Sequence, residues 1–202
     1  MKKGLLMAMM IGLVSTVAAQ TSNTASGTSE CKLKLSQSPA IRGIRLGMTF
    51  DQVLAQIPGS EADSNLLAGL SRDYFGSRNA TVTPGNYANA KEKFAGISSI
   101  NLSFLDGRLL SFNVRYNGPE WRSSEQFVAR VAEVLNLPGV GAWKARINNT
   151  LAVGCDGFEI SVQTFGGSDS YIGIKDTTID FGKVVQDRVE VPKEKARRSF
   201  KP

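Results

Sequence analysis

Alternation of apolar and polar residues marks the middle of the chain. Ile100, Leu102 and Phe104 alternate with polar residues, Asp106-Gly107 follows, and residues 110–116 alternate again. This pattern predicts an antiparallel hairpin with one apolar and one polar face. Similar but mostly shorter alternating stretches predict further strands, at residues 32–35, 41–46, 143–147, 151–155, 158–163 and 171–175.

Apolar residues recur at helical spacing in three segments. Thr49 opens one segment that ends at Pro58, and Ser123 opens another that ends at Pro138. In both, a glutamine three residues after the first residue completes a capping-box pattern, which predicts a helix start. A shorter helix is predicted around residues 66–70, and residues 76–96 are interpreted as a loop.

The order of these elements predicts an α+β fold, with helices packed on one face of an antiparallel sheet and the polar face open to solvent. Asp106-Gly107 and Asp156-Gly157 begin similar stretches, each after an amphipathic helix. One interpretation is a tandem pair of helix-plus-hairpin units over residues 41–117 and 118–176. The other is that two unrelated hairpins share a common turn type.

The N-terminus has the pattern of a secretory signal peptide. Lys2-Lys3 precede an apolar run over residues 4–17, and small residues lead up to Ala19. The run is too short for a comfortable membrane span, so we expect cleavage after Ala19 and export to the periplasm or the medium. Residues 20–30 are predicted to be a polar linker to the folded domain.

The chain has two cysteines, Cys31 and Cys155. An even number of cysteines in an exported protein predicts a disulfide between them. A lipid anchor on Cys31 is rejected because the preceding residues 28–30 are polar, and we expect no stable membrane anchor.

The positive charge is concentrated near the C-terminus. Net charge is +6 for the whole chain, and removal of Lys2 and Lys3 with the signal peptide leaves +4. Residues 193–202 carry that excess, so the predicted domain, residues 31–176, is close to neutral. Residues 177–202 are predicted to be a flexible basic tail, whose charge would allow contact with anionic surfaces. Nucleic acid is not expected as a partner of an exported protein.

Several kinds of chemistry find no support in the sequence. There is no histidine, which excludes histidine-based nucleophile systems and metal motifs, and no cofactor or metal is predicted. Ser29 and Lys32 have the spacing of a serine–lysine catalytic pair. They lie at the linker junction, however, where nothing would desolvate the lysine and lower its pKa. Asp106 and Asp156 are the candidates for a hydrolase that uses carboxylates alone, although both precede glycine in turns. No catalytic residue is assigned.

Residues 44–59 resemble the strand-to-helix signature of small bacterial envelope proteins. In that signature a Leu-Gly-Met-Thr segment, here residues 46–49, opens a helix with a Gln-Val pair, here Gln52-Val53, and ends near Pro58. The BamE family of the outer-membrane β-barrel assembly machine has this segment, and the β-lactamase inhibitor protein family is similar in architecture. The resemblance implies a helix-backed antiparallel sheet used for protein contact.

The leading hypothesis is an exported, non-enzymatic bacterial envelope protein that binds an envelope or secreted protein through its open sheet face. One alternative is a periplasmic binding module for a glycan or small polar ligand, and another is the carboxylate hydrolase. The candidate contact residues are Asn113, Arg115, Trp121, Lys144, Arg146, Gln163, Tyr171 and Lys175.

Overall fold

The computed structural model describes residues 30–118, 120–165 and 169–199. These residues form one antiparallel sheet flanked by helices, which confirms the predicted α+β class. The strands are β1 (Ser77–Val82), β2 (Ile97–Leu105), β3 (Arg108–Asn117), β4 (Lys144–Ala145), β5 (Thr150–Gly154), β6 (Phe158–Thr164) and β7 (Asp169–Asp176). The helices are α1 (Phe50–Leu54), α2 (Ser64–Ser71), α3 (Ser124–Leu135) and α4 (Phe181–Ser199). The predicted signal peptide and most of the linker lie outside the described residues.

Both predicted capping residues begin helices. The Thr49 hydroxyl accepts a hydrogen bond from the Gln52 amide at 3.3 Å, and the Gln52 side chain accepts one from the Thr49 amide at 2.9 Å. Ser123 caps α3 in the same way, but the Gln126 side chain accepts from the amide of Arg122 instead. The first helix ends sooner than predicted, because α1 passes into turns after Leu54.

The core lies between the apolar sheet face and α1, α2 and α3. Strands β2, β3, β6 and β7 alternate buried and less buried positions, as their sequence periodicity requires. α2 packs beside β1, and α3 packs on β5 and β6. The largest fully buried side chains in this core include Ile57, Phe104, Phe112, Phe158 and Ile160.

The interpretation of residues 76–96 as a loop was wrong for β1. This strand pairs with β2 along its whole length at one edge of the sheet. Its interior residues, 78–81, are mostly polar or small, and only Val82 is a large apolar residue that is fully buried. An edge strand can form with little apolar surface because its neighbour supplies the backbone hydrogen bonds. Apolar and polar residues therefore alternate only weakly in its sequence.

Residues 41–46 form a tight turn where alternation predicted a strand. Ile41 and Ile44 exchange two backbone hydrogen bonds, of 2.9 and 3.0 Å, and both side chains are buried. Arg42 and Gly43 between them have φ values of +52° and +92°. The alternation therefore reflects two buried isoleucines that anchor a turn.

Residues 32–35 were also predicted to form a strand, but they contribute only one β-bridge, between Lys34 and Asp156.

The strand order is β1-β2-β3-β7-β6-β5-β4, with β3 and β7 paired near the middle. The Asp106-Gly107 turn joins β2 to β3, whereas Asp156-Gly157 lies between β5 and β6. Both turns therefore lie equally far from β7, the fourth of the seven strands, one on each side of it. The tandem pair of helix-plus-hairpin units, over residues 41–117 and 118–176, stays a prediction.

Cys31 and Cys155 form the predicted disulfide. It fastens the N-terminal segment beside the end of β5, where the Asp156 amide also donates to the Leu33 carbonyl at 2.9 Å. None of the described helices combines the length and apolar character needed to cross a membrane.

Residues 181–199 form α4, where composition predicted a flexible basic tail. The helix has a half-buried stripe at Phe181, Val184, Val185, Arg188 and Val189. This spacing is that of a helix with one side against the protein body. The second half of the helix is exposed wherever its side chains are described.

Candidate functional site

The candidate contact surface is the polar side of the sheet, called here the open face. Strand register arranges it in rows that cross the strands. The central row is Thr81, Asn101, Asn113, Gly173, Ser161, Ala152 and Lys144. One flanking row is Ser99, Arg115, Tyr171, Gln163 and Thr150, and the other is Asn79, Ser103, Ser111, Lys175, Glu159 and Gly154.

Gly173 forms the floor of a hollow at the centre of the open face. A Cβ at this position would lie 2.5 Å from Asn113 Oδ1 and 2.7 Å from Ser161 Oγ. The two polar side chains therefore occupy the space that a larger residue would need. The hollow has a volume of about 290 Å³, and Gln163 and Tyr171 also border it. Three of the predicted contact residues thus meet at one place.

Arg115 occupies the flanking row beside this hollow. Its guanidinium pairs with the Asp169 carboxylate, and it lies 5.5 Å from the centre of the Tyr171 ring. The hydrogen bond that Arg115 donates to the Asp169 carboxylate raises the pKa of Arg115 further above its ordinary value. Strands β3 and β7 place the three groups together, because Arg115 is directly opposite Tyr171 in their register.

Two exposed apolar residues adjoin this part of the open face, and the sequence analysis missed both. Phe165 is 59% exposed, and its ring lies 5.3 Å from that of Tyr171. Ile147 is 83% exposed in the β4–β5 turn, where Gln163 Nε2 donates to the Asn148 carbonyl at 2.7 Å. The signal that could have identified both residues in the sequence is a large apolar residue beside a turn sequence. We call Ile147, Phe165, Tyr171, Gln163 and Arg115 the aromatic end of the open face.

The other predicted contact residues are spread more widely. Arg146 pairs with Glu159 at 3.1 Å near the β4 edge, where Lys144 is exposed. Lys175 lies toward the other end of the face and borders a cavity of about 590 Å³ with Phe181 of α4.

Trp121 is not part of the open face. Its ring lies 5.2 Å from that of Phe127 in α3, and it packs against the core on the helix side of the sheet. It also borders a cavity of about 450 Å³ with Arg146 and Thr150, whereas Tyr171 borders the hollow over Gly173.

Asp106, one of the two candidate carboxylates of a hydrolase, is poorly suited to acid catalysis. Arg188 donates two hydrogen bonds to the Asp106 carboxylate, at 2.7 and 2.9 Å, and these lower the pKa of Asp106. A general acid needs the opposite shift, because it must hold a proton near neutral pH. The exposed Asp156 side chain makes no ion pair with a described residue. Within the described ranges, no cluster of three or more metal-ligating side chains occurs.

The chain matches no family model, no curated protein and no solved structure. The segment that resembles the BamE signature has a clear structural place: the Gly47 amide donates to the Leu109 carbonyl, and the Leu109 amide to the Met48 carbonyl, both at 2.8 Å. It thereby ties the start of α1 to β3.

Proposed function

We propose that the protein is an exported, non-enzymatic protein of the bacterial envelope that binds a partner protein through the open face. The observation that carries this proposal is the aromatic end. Exposed Phe165 packs on Tyr171, and the Arg115 guanidinium lies over the same ring. Aromatic residues and arginine are the side chains that most often contribute binding energy in protein interfaces.

The dimensions of the open face suit a protein partner. Seven strands spaced by about 4.8 Å span roughly 29 Å, and β6, at seven residues, is roughly 24 Å long. The resulting platform is on the order of 700 Å², close to the ~800 Å² that one partner contributes to a standard interface. The aromatic end adjoins rows of polar side chains, as the contact residues of a protein interface adjoin a polar rim.

The disulfide supports the exported location. Disulfides persist in the periplasm and outside the cell, and they are rare in a reducing cytosol. The bond between Cys31 and Cys155 joins parts of the chain that are 124 residues apart. Together with the signal-peptide pattern, this favours export and folding under oxidising conditions.

The test is site-specific photocrosslinking in the intact envelope of the producing bacterium. A photoreactive residue replaces Asn113 or Gln163 on the open face, and Lys91, exposed in the loop before β2, serves as the control position. We expect a discrete crosslinked protein from the first two positions and none from the third. Equal crosslinking from all three positions, or none from any, would contradict the proposal.

Charge reversal provides the second part of the test. Arg115→Glu and Lys175→Glu should weaken binding of the crosslinked partner at least tenfold, because like charges would replace complementary ones. Lys91→Glu is the matched control and should leave binding unchanged. Circular dichroism and the unfolding midpoint establish that the variants remain folded.

A second candidate function is binding of a glycan or another small polar ligand in the hollow over Gly173. Its supporting observation is the lining of amide and hydroxyl groups with one aromatic ring, that of Tyr171. Thermal-shift measurements against envelope glycans test it, because a ligand raises the melting temperature by mass action. A glycan that stabilises the protein, with loss of the effect in Asn113→Ala, would favour this function over protein contact.

A further inference from the structure

A second cavity lies on the helix side of the sheet, opposite the open face. It has a volume of about 400 Å³, within the usual range for small-ligand sites, and it lies between α3 and the turn over residues 41–44. Its walls include the rings of Tyr116, Trp121 and Phe127, with Ile172 of β7. The centre of the Phe127 ring lies 5.2 Å from that of Trp121 and 6.4 Å from that of Tyr116. The cavity is therefore largely apolar.

Two hydrogen-bond donors without a protein acceptor border this apolar space. Arg42 lies at its rim and makes no ion pair with any described residue. The Tyr116 hydroxyl makes no hydrogen bond within the described ranges, and it is close enough to Arg42 for the guanidinium charge to act on it. Burial raises the pKa of Tyr116 to about 12, so this hydroxyl keeps its proton at neutral pH.

The charged side chains that line the cavity, Arg42 and Arg130, are both basic. Arg130 also borders it and pairs with Glu133 at 2.6 Å, so its charge is already balanced. No acidic residue of the described ranges lines the cavity. An anionic group at the rim would therefore meet Arg42 and the Tyr116 hydroxyl without an opposing carboxylate in the lining.

The position of Arg42 is held by its turn. Ile41 and Ile44 are buried on either side, and Arg42 has a φ of +52°. Asparagine, aspartate and glycine are the residues preferred at such a position. The turn therefore fixes the backbone of Arg42, although arginine is not among the residues that this turn geometry favours.

We propose that this cavity binds a small amphipathic carboxylate, with its alkyl chain among the aromatic rings and its carboxylate on Arg42 and Tyr116. The inference does not depend on the proposed contact function, because the two sites lie on opposite sides of the sheet. Each buried methylene contributes about fourfold in affinity, so affinity should rise with chain length until the cavity is filled.

Calorimetric titration of the purified, disulfide-bonded protein tests the proposal. Decanoate is the probe, and decanol and decyltrimethylammonium carry the same chain with a neutral and a cationic head. We expect saturable binding of decanoate at one site, at least tenfold weaker binding of decanol, and no binding of the cation. Hexanoate should bind much more weakly than decanoate.

Arg42→Asn isolates the head-group contact. It should preserve or raise the unfolding midpoint, since asparagine suits the turn, and it should weaken decanoate binding at least tenfold while leaving decanol unchanged. Tyr116→Phe should weaken decanoate severalfold. Arg45→Asn, an exposed arginine outside the cavity lining, is the matched control and should have no effect.

Either of two results would overturn the proposal. One is absence of decanoate binding by the folded protein below the micelle concentration. The other is equal binding of all three head groups with no effect of Arg42→Asn, which would indicate a purely apolar surface. Neither result would alter the crosslinking test of the open face.

Discussion

Arg115 and Tyr116 are neighbours in β3, yet they contribute to different sites on opposite sides of the sheet. Arg115 lies on the open face against Tyr171, and Tyr116 lines the apolar cavity beside α3. The alternation of side chains along a strand requires this separation. One strand therefore connects the two proposed binding sites, and substitutions at these two positions can test them separately.

Gly173 is predicted to matter for binding more than for stability. Gly173→Ala places a methyl group against the ends of the Asn113 and Ser161 side chains, both of which can rotate away. Alanine is also favoured over glycine in a strand by roughly 0.5–1 kcal/mol. We expect a change in unfolding free energy of less than about 1 kcal/mol, measured in urea, and weaker binding at the hollow.

The double variant Gly173→Ala with Asn113→Ala provides the control for steric crowding. It removes the shorter of the two contacts while keeping the added methyl group. Its unfolding free energy should equal or exceed that of Gly173→Ala. A loss of several kcal/mol of unfolding free energy in Gly173→Ala would show that the Asn113 and Ser161 side chains cannot rotate away from the added methyl group.

The disulfide is predicted to be a major source of stability. It closes a loop with a sequence separation of 124, for which the loop-entropy relation gives about 5 kcal/mol as an upper figure. Cys31→Ser with Cys155→Ser should lower the unfolding free energy by about 2–5 kcal/mol. Urea titrations with and without reductant check this. The reductant should destabilise the wild-type protein and leave the double variant unchanged.

Asp63 is predicted to make stability depend on acid. Its carboxylate accepts hydrogen bonds from the amides of Asn65 and Leu66 at the start of α2, and from the Tyr87 hydroxyl at 2.7 Å. The bond from the Leu66 amide, followed by that from Tyr87, lowers the pKa of Asp63 below its ordinary 3.8. The resulting stabilisation is therefore complete above pH 3.8 and is lost as the pH falls through the lower, folded value.

Asp63→Asn is the variant that reports this linkage, because it keeps an oxygen acceptor and removes the titration. The wild-type urea midpoint should exceed that of the variant at pH 6, and the difference should shrink as the pH falls from about 5 to below 3. A difference that stays constant across this range would contradict the assignment. Burial, and then the bond to Asp63, raise the pKa of Tyr87 to about 12, so Tyr87 remains protonated throughout.

Arg188 is predicted to hold α4 against the protein body. Besides its two bonds to Asp106, it donates to the Phe75 carbonyl at 2.7 Å. Asp106→Asn keeps a residue that suits the turn, where φ is +50°, and removes the charge. Because the pair is partly exposed, we expect local opening of α4 to increase by a factor of about five or less. Hydrogen exchange of α4 measures this, and Lys193→Ala is the control.

The local sequence pattern predicted the structure most accurately where its signal was strong. The β2–β3 hairpin, the start of α3 and the cysteine pair were predicted because each has a local signal: alternation around Asp106-Gly107, a cap at Ser123, and an even cysteine count. It was wrong for β1, whose polar residues 78–81 become a strand only through pairing with β2. Tertiary contact supplies what local propensity does not.

The residues of the candidate sites were likewise predicted where the signal was local and missed where it depended on tertiary structure. Alternation alone assigned Asn113, Arg115, Gln163, Tyr171 and Lys175 to the polar side of the sheet, because side chains of a strand alternate between its faces. It could not place Gly173 between Asn113 and Ser161, since that depends on the register of three strands. Nor could it separate Trp121 from Tyr171, because both are aromatic residues near strand ends in sequence.

The sequence by itself determined the α+β class, the polar and apolar faces of most strands, and the cysteines available for the disulfide, because these follow from spacing along the chain. The tertiary structure alone decided the strand order, the hollow over Gly173, the cavity beside Tyr116 and the docking of α4 through Arg188. Each of these depends on residues that are far apart in sequence, and only packing and hydrogen bonding in the folded state bring them together.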